Sequence, residues 1–194
     1  MRITQAGSTA ARRDQIVAAT IGVLAERGYA ATSYDAICAV AGLSSKRLIS
    51  YHFTSKDELL AEVLHRVTTD AGEYMRPAIE AAESPAAKLA AYIRSNVEFI
   101  AAKPDHVRAV QQIVSSHVPV PDEEADGAIA RLIGLFDSGQ RTGDFRPFDS
   151  TLMAVTLRAA IDAVAGRLVG GSDPQLCADE LTDTFNRATR PETP

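Results

Sequence analysis

Apolar residues recur at helical spacing along nearly the whole chain, whereas the two-residue alternation typical of strands is nearly absent. Residues 12–27 carry one apolar face that ends at Gly28, a residue type that commonly terminates helices. A fourth helix begins after Ser55, and later apolar stripes predict further helices at about 85–102, 105–116, 123–138, 150–169 and 174–188. The pattern predicts an all-α protein of about nine helices.

Two short helices and a tight corner are predicted between the first and the fourth helix. Thr32 or Ser33 can cap the second helix, which closes at Gly42. Ser44 begins a third helix that reaches about His52. A short helix, a turn that contains glycine and another short helix are typical of a helix-turn-helix motif.

The third helix and its flanks carry side chains that suit the groove of a DNA duplex. Hydroxyl and basic groups can donate to phosphate oxygens, and Lys or Arg can donate to guanine O6 and N7. Apolar residues of the same region, among them Val40 and Ile49, are expected to pin the short helices to the first one. Spacing alone also permits a solvated helix in an ordinary bundle. The candidate DNA-contacting residues are Thr32, Ser33, Ser44, Ser45, Lys46, Arg47, Ser50, Tyr51, His52 and Lys56.

Charge is distributed unevenly along a chain whose net charge is −5. Residues 1–60 contain seven Lys and Arg against five Asp and Glu, whereas the remainder contains 13 against 20. The N-terminal third is therefore mildly basic on an acidic body, which is a weak and local footprint for a polyanion. The 194 residues are 46% hydrophobic, enough for a core and for one or two domains.

Other chemistry is sparse in the sequence. The two cysteines, Cys38 and Cys177, lie far apart in apolar patterns, and no Cys/His cluster has the spacing of a zinc site. No signal peptide or membrane-spanning run is visible, so we expect a cytoplasmic protein without a membrane partner. We expect no metal, no cofactor and no catalytic activity. A helical enzyme stays an alternative, because scattered histidines and acids can converge in space.

Three segments occur in a fixed order near the N-terminus: QIVAATIGVLAERGYAATSYDAI, AGLS and YHFTSKDELL. In this order and at these distances, residues 12–64 resemble the N-terminal DNA-binding domain of the tetracycline-repressor (TetR) family. The stretch between Gly42 and Phe53 is one residue longer than the commonest family pattern, which places Ser50 where many members have a tyrosine that contacts DNA. The register of Lys46 and Arg47 in the groove is therefore open.

The resemblance implies a DNA-binding domain at residues 1–54 and a ligand-binding and dimerisation domain at residues 55–194. It implies a transcriptional repressor that binds a palindromic double-stranded DNA operator as a homodimer and is released by a small-molecule effector. The helices at 150–169 and 174–188 resemble the pair that forms the dimer interface of the family. An orphan or protein-responsive regulator without a small-molecule effector is the alternative.

Candidate effector contacts are side chains that combine apolar bulk with a polar tip. Ordinary core packing is the competing interpretation for each of them. Arg158, a charge in a strongly apolar helix, either pairs with Asp162 four residues on or reaches an anionic ligand. The candidates are His65, Tyr74, Met75, Tyr92, Phe99, His117, Phe136, Met153 and Arg158.

Overall fold

A computed structural model describes residues 3–116 and 123–191 of the chain. Nine α-helices and no strand occur within these residues, which confirms the predicted fold class. Two of the predicted ranges, 85–102 and 150–169, coincide with helices in the structure. The helices are α1 Ile3–Ala31, α2 Tyr34–Ala41, α3 Lys46–His52, α4 Lys56–Ala81, α5 Pro85–Ala102, α6 Pro104–Ser115, α7 Glu123–Thr142, α8 Ser150–Val169 and α9 Pro174–Thr189.

The first helix breaks at Gly28, as predicted, although one further turn follows the break. Gly28 adopts φ 77° and ψ 171°, a conformation that L-residues with a Cβ rarely adopt. The freed N–H of Tyr29 donates to Oε1 of Gln112 on α6 at 3.1 Å. The Thr32 hydroxyl donates to the Gly28 carbonyl at 2.8 Å. Both bonds satisfy backbone groups that the break would otherwise leave without a partner.

Local side-chain caps explain where the short helices begin and end. Ser33 caps α2, and its Oγ accepts from the N–H of Ala36 at 3.2 Å. Gly42 then adopts the left-handed conformation, with φ 63°, and closes the corner. Ser45, one residue later than expected, caps α3, and its Oγ accepts from the N–H of Arg47.

The described residues form two compact units. Residues 3–68 with 104–116 make up the first unit, and residues 69–103 with 123–191 make up the second. The predicted division after residue 54 is a functional one and stays a prediction. The buried apolar core of the first unit draws on α1, α2, α3, α4 and α6, with Ile49, Phe53 and Ile113 at most 1% exposed.

The second unit is a helical bundle in which α5 packs against α7, α8 and α9. Phe136, Phe145 and Phe148 form an aromatic cluster near the α7–α8 connection, with ring centroids 5.4–6.3 Å apart. Gly139 on α7 admits the Phe145 ring, since a Cβ there would lie 2.1 Å from a ring carbon. Among the described residues, no helix has the length and apolar character that crossing a membrane requires.

Candidate nucleic-acid interface

The third helix has one buried face and one exposed face. Ile49 is fully buried, and Phe53, which follows the helix, is 1% exposed, so both anchor α3 in the core of the first unit. The opposite face is open to solvent, and Tyr51 is 79% exposed. The exposed residues at this face are Ser44, Ser45, Lys46, Arg47, Ser50 and Tyr51. The structure thus brings together most of the predicted DNA-contacting side chains.

The two cations of α3 differ in their surroundings. Lys46 Nζ lies 3.1 Å from Oδ2 of Asp35 on α2, and both side chains are largely exposed. The guanidinium of Arg47 makes no ion pair with any residue that the structure describes. An exposed ion pair contributes at most about 1 kcal/mol, so Lys46 can exchange Asp35 for a phosphate at small cost. Arg47 can bind an anion or a base edge without breaking a contact.

His52 and Lys56 are only partly exposed. Burial, reinforced by the positive charges of Arg13 and Arg12, lowers the pKa of His52 below its usual 6.5. The imidazole is therefore neutral at pH 7 and can donate a hydrogen bond without adding a charge. Burial also lowers the pKa of Lys56, against the opposing effect of Asp57. Its ammonium lies 4.2 Å from the centroid of the Tyr29 ring, a cation–π geometry.

Thr32, which precedes the cap of the second helix, and Val40, within that helix, depart from the expectations. Thr32 is 3% exposed, and its hydroxyl and N–H both donate to carbonyls of the preceding turn, so we remove it from the candidate contacts. Val40 is 47% exposed, so the expectation that it pins α2 to α1 is wrong. Ser33 is exposed, and its hydroxyl hydrogen is left to donate while its oxygen caps α2.

Two polar residues of α1 that the sequence did not single out hold the ends of the short helices. Nη1 of Arg13 donates to the carbonyl of His52 at 2.6 Å. Nε2 of Gln15 donates to the carbonyl of Ala41 at 2.6 Å. These carbonyls belong to the last residues of α3 and α2. The two residues of each hydrogen bond are 39 and 26 positions apart in the sequence, so local sequence patterns do not predict these bonds.

The candidate effector contacts lie in different environments. His65 is exposed and belongs to the first unit, whereas the other described candidates belong to the second. Phe99 and Phe136 are 5% and 0% exposed, which fits core packing. Tyr74, 43% exposed, lies with its ring centroid 5.7 Å from that of Phe99. Met75 and Met153 are half-buried, and His117 lies outside the described residues.

Arg158 makes the local ion pair that its sequence spacing predicted. Its guanidinium donates to both carboxylate oxygens of Asp162 and also interacts with the hydroxyl of Tyr92. Burial alone would lower the pKa of Arg158, but Asp162 and Tyr92 outweigh it and raise the pKa. Within the described ranges, no group of three or more His, Cys, Asp or Glu side chains is placed to hold a metal ion.

Known proteins are similar to this chain in the first unit and, more weakly, over most of its length. Residues 16–63 match the family model described as "Bacterial regulatory proteins, tetR family". The HTH-type transcriptional activator FasR of Mycolicibacterium smegmatis is 29% identical over 156 residues, which cover 77% of this chain and 70% of that protein.

Solved structures are similar to this chain in fold over most of its length. A TetR-like transcriptional regulator from Rhodococcus sp. RHA1 has 28% identity and a TM-score of 0.71, with 91% of this chain and 94% of that one covered. FadR from Bacillus subtilis in complex with stearoyl-CoA has 20% identity and a TM-score of 0.79 over 88% and 96% of the chains. AibR in complex with isovaleryl coenzyme A and operator DNA has 19% identity and a TM-score of 0.71 over 94% and 100%. The chain thus carries a TetR-family DNA-binding domain at residues 16–63 and is similar over most of its length to TetR-type transcriptional regulators.

Proposed function

We propose that this regulator is a repressor that binds a palindromic operator as a homodimer and is released by a small-molecule effector. The exposed face of α3 carries the proposal, because it combines cations and hydroxyl groups on a helix whose other face is locked in the core. We expect Ser44, Ser45 and Lys46, at the N-terminal end of α3, to meet base edges and phosphates. We expect further contacts from Ser33, Arg47, Ser50, Tyr51, His52 and Lys56.

The dimer is supported by an apolar face of α8 that the described part of the chain leaves exposed. Leu152 is 67% exposed and Val155 is 46% exposed. Thr156, Ala159 and Ala163 continue the same face at helical spacing and are also exposed. Small side chains let two helices approach closely, and a two-fold axis would place the same face of a second copy against this one. On α9, Leu176 is also exposed, at 59%.

The effector is inferred from the family, and its chemistry comes from two structural neighbours. FadR was solved with stearoyl-CoA, and AibR with isovaleryl coenzyme A. Acyl-CoA esters of graded chain length are therefore the first compounds to test. An effector releases DNA only to the extent that it binds the DNA-free conformation more tightly, so the tightest ligand need not be the strongest releaser.

The direction of regulation needs its own measurement. The relative from M. smegmatis is named as an activator. A reporter gene placed downstream of the bound site decides between the two: repression lowers expression when the protein is supplied, whereas an activator raises it. Higher expression would overturn the repressor part of the proposal and leave the DNA-binding part standing.

The experiment that tests the proposal is selection of bound duplexes from a random DNA library with the purified full-length protein. We expect an inverted repeat whose half-sites are separated by about one helical turn, roughly 34–36 Å, or a multiple of it. Operator affinity should fall steeply with salt concentration, because each neutralised phosphate releases counterions. Addition of the effective acyl-CoA should release the selected duplex. Recovery of asymmetric sites, or of no enriched sequence, would contradict the proposal.

An orphan regulator would give the same selected sequence without release by small molecules. No release by the acyl-CoA series, followed by none from a wider metabolite library, would favour that alternative.

A further inference from the structure

The guanidinium of Arg13 joins three helices of the first compact unit. From α1, Nη1 donates to the carbonyl of His52, the last residue of α3, at 2.6 Å. Nη2 donates to Oε2 of Glu62 on α4 at 2.7 Å. The Phe53 ring lies under the guanidinium, with its centroid 4.3 Å from Cζ. One planar group thus holds the C-terminal end of α3 against α1 and α4.

An arginine is well suited to this combination of contacts. Its guanidinium carries five N–H donors in a rigid fork, so it can serve a carbonyl and a carboxylate while stacking on a ring. The side chains of Arg13 and Glu62 are each only 32% exposed, which limits screening of the pair by water and salt. Because α3 has only seven residues, its orientation depends on contacts from its neighbours.

We propose that Arg13 is a positioning residue for DNA recognition, one that contacts no DNA and sets the orientation of α3 through the carbonyl of His52. The inference rests on the proposed function, because it concerns how the same surface reads DNA. Base-edge hydrogen bonds need close distances and favourable angles, whereas phosphate contacts tolerate small shifts. Loosening the end of α3 should therefore weaken operator binding more than binding to random DNA.

The chain offers a matched control in Arg66. Its guanidinium forms an ion pair between α4 and Asp14 on α1, and its side chain is 34% exposed. Removing Arg66 therefore breaks an α1–α4 ion pair whose arginine is about as exposed as Arg13, without touching α3. A comparison of Arg13→Met with Arg66→Met separates the orientation of α3 from general loss of α1–α4 attachment, at the same change in net charge.

The experiment measures binding of the full-length protein to the selected operator and to a scrambled duplex of equal length, by fluorescence anisotropy at several salt concentrations. Thermal unfolding followed by circular dichroism sets a temperature at which every variant is folded. We expect Arg13→Met to weaken operator binding roughly tenfold, the effect of one charge-assisted hydrogen bond, and random-DNA binding less than about threefold. The slope of log affinity against log salt should change by less than about half a unit, since no phosphate contact is lost.

Glu62→Gln provides a second variant, which keeps Arg13 and removes the nearer of its two carboxylate partners, at 2.7 Å, while Glu58 Oε1 at 3.8 Å stays. It should lower the ratio of operator to random-DNA affinity, as Arg13→Met does, but by a smaller factor. If Arg13→Met does not fold, Glu62→Gln takes its place in the experiment. Arg66→Met should leave that ratio unchanged.

Three results would overturn the inference. The ratio could be unchanged in the folded Arg13 or Glu62 variant. Arg66→Met could lower it as much as Arg13→Met. Both duplexes could lose affinity equally while the salt slope falls by about one unit, which would make Arg13 a phosphate contact. If the unmodified protein itself shows no preference for any duplex, the proposed function fails, and this result is obtained without any variant.

Discussion

The ion pair between Lys46 and Asp35 gives the most specific prediction about affinity. Asp35 sits at the first turn of α2, and its carboxylate holds the Nζ of Lys46 at 3.1 Å. When DNA binds, that carboxylate competes with phosphates for the ammonium and repels the phosphates themselves. Asp35→Asn removes the competition and nearly preserves the shape of the side chain. We therefore expect this substitution to tighten DNA binding.

The magnitude follows from exposure and distance. The side chains of Lys46 and Asp35 are 58% and 75% exposed, so breaking their pair costs about 0.2–1 kcal/mol. Two unit charges about 10 Å apart in water interact by roughly 0.4 kcal/mol before salt screening, which bounds the repulsion between Asp35 and a nearby phosphate. The two effects together amount to about 0.5–1.5 kcal/mol, or roughly two- to tenfold in affinity.

The assay is a titration of fluorescent operator with the unmodified protein and with Asp35→Asn, at salt concentrations from about 50 to 200 mM. The variant should bind more tightly, with the advantage largest at low salt. Asp183→Asn is the matched control, since Asp183 pairs with Arg187 on α9 at 3.2 Å with similar exposure and lies in the other compact unit. It should leave affinity nearly unchanged. Weaker binding of Asp35→Asn would refute the reasoning and show that Asp35 holds Lys46 in its DNA-bound position.

Further predictions concern the dimer, the core and pH. Val155→Glu should convert the dimer to monomers in light scattering and lower operator affinity, whereas Val114→Glu, at a more exposed valine of α6, should do neither. If both variants stay dimeric, the α8 face is not the dimer interface. Gly139→Ala should destabilise the fold by about 1–3 kcal/mol in denaturant unfolding, because its methyl would overlap an aromatic ring. Gly134→Ala, in the same helix with open space around it, should stabilise by about 0.5–1 kcal/mol, and equal effects at the two glycines would contradict the packing. Because the pKa of His52 is lowered in the folded state, the unfolded state binds the proton more readily. Stability should fall as pH drops below about 6.5, less so in His52→Gln, and identical pH profiles would exclude the effect.

Much of the fold could be predicted from the sequence because helix periodicity and capping residues act locally. Asp173 and Pro174 mark the start of α9, and Gly42 marks the end of α2, all within a few residues of the backbone groups they satisfy. Glu58 shows the limit of such reading: it accepts from the N–H and hydroxyl of Thr54, while Ser55 Oγ accepts from the N–H of Glu58. In the reciprocal Ser-x-x-Glu capping motif, the Glu side chain accepts from the N–H of the capping Ser itself, whereas Glu58 accepts from Thr54, one residue earlier.

The candidate interface was less accessible from the sequence because it depends on contacts between distant segments. The exposed face of α3 follows from the period of its apolar residues, and that part was predictable. The burial of Thr32 behind the break at Gly28 and the outward placement of Val40 depend on how α2 packs against α1. The role of Arg13 depends on a carbonyl 39 positions away, which no period or spacing encodes.

The central claim, that α3 reads base edges through its exposed face, is tested most directly at Arg47. Its guanidinium makes no ion pair with the described residues, so Arg47→Ala removes a potential DNA contact with little effect on the fold. The account predicts that Arg47→Ala weakens binding to the selected operator by about 1–3 kcal/mol and to random duplex by much less. Equal losses on both duplexes would make Arg47 a phosphate contact only, and an unchanged affinity for the operator would contradict the claim that this face of α3 reads DNA.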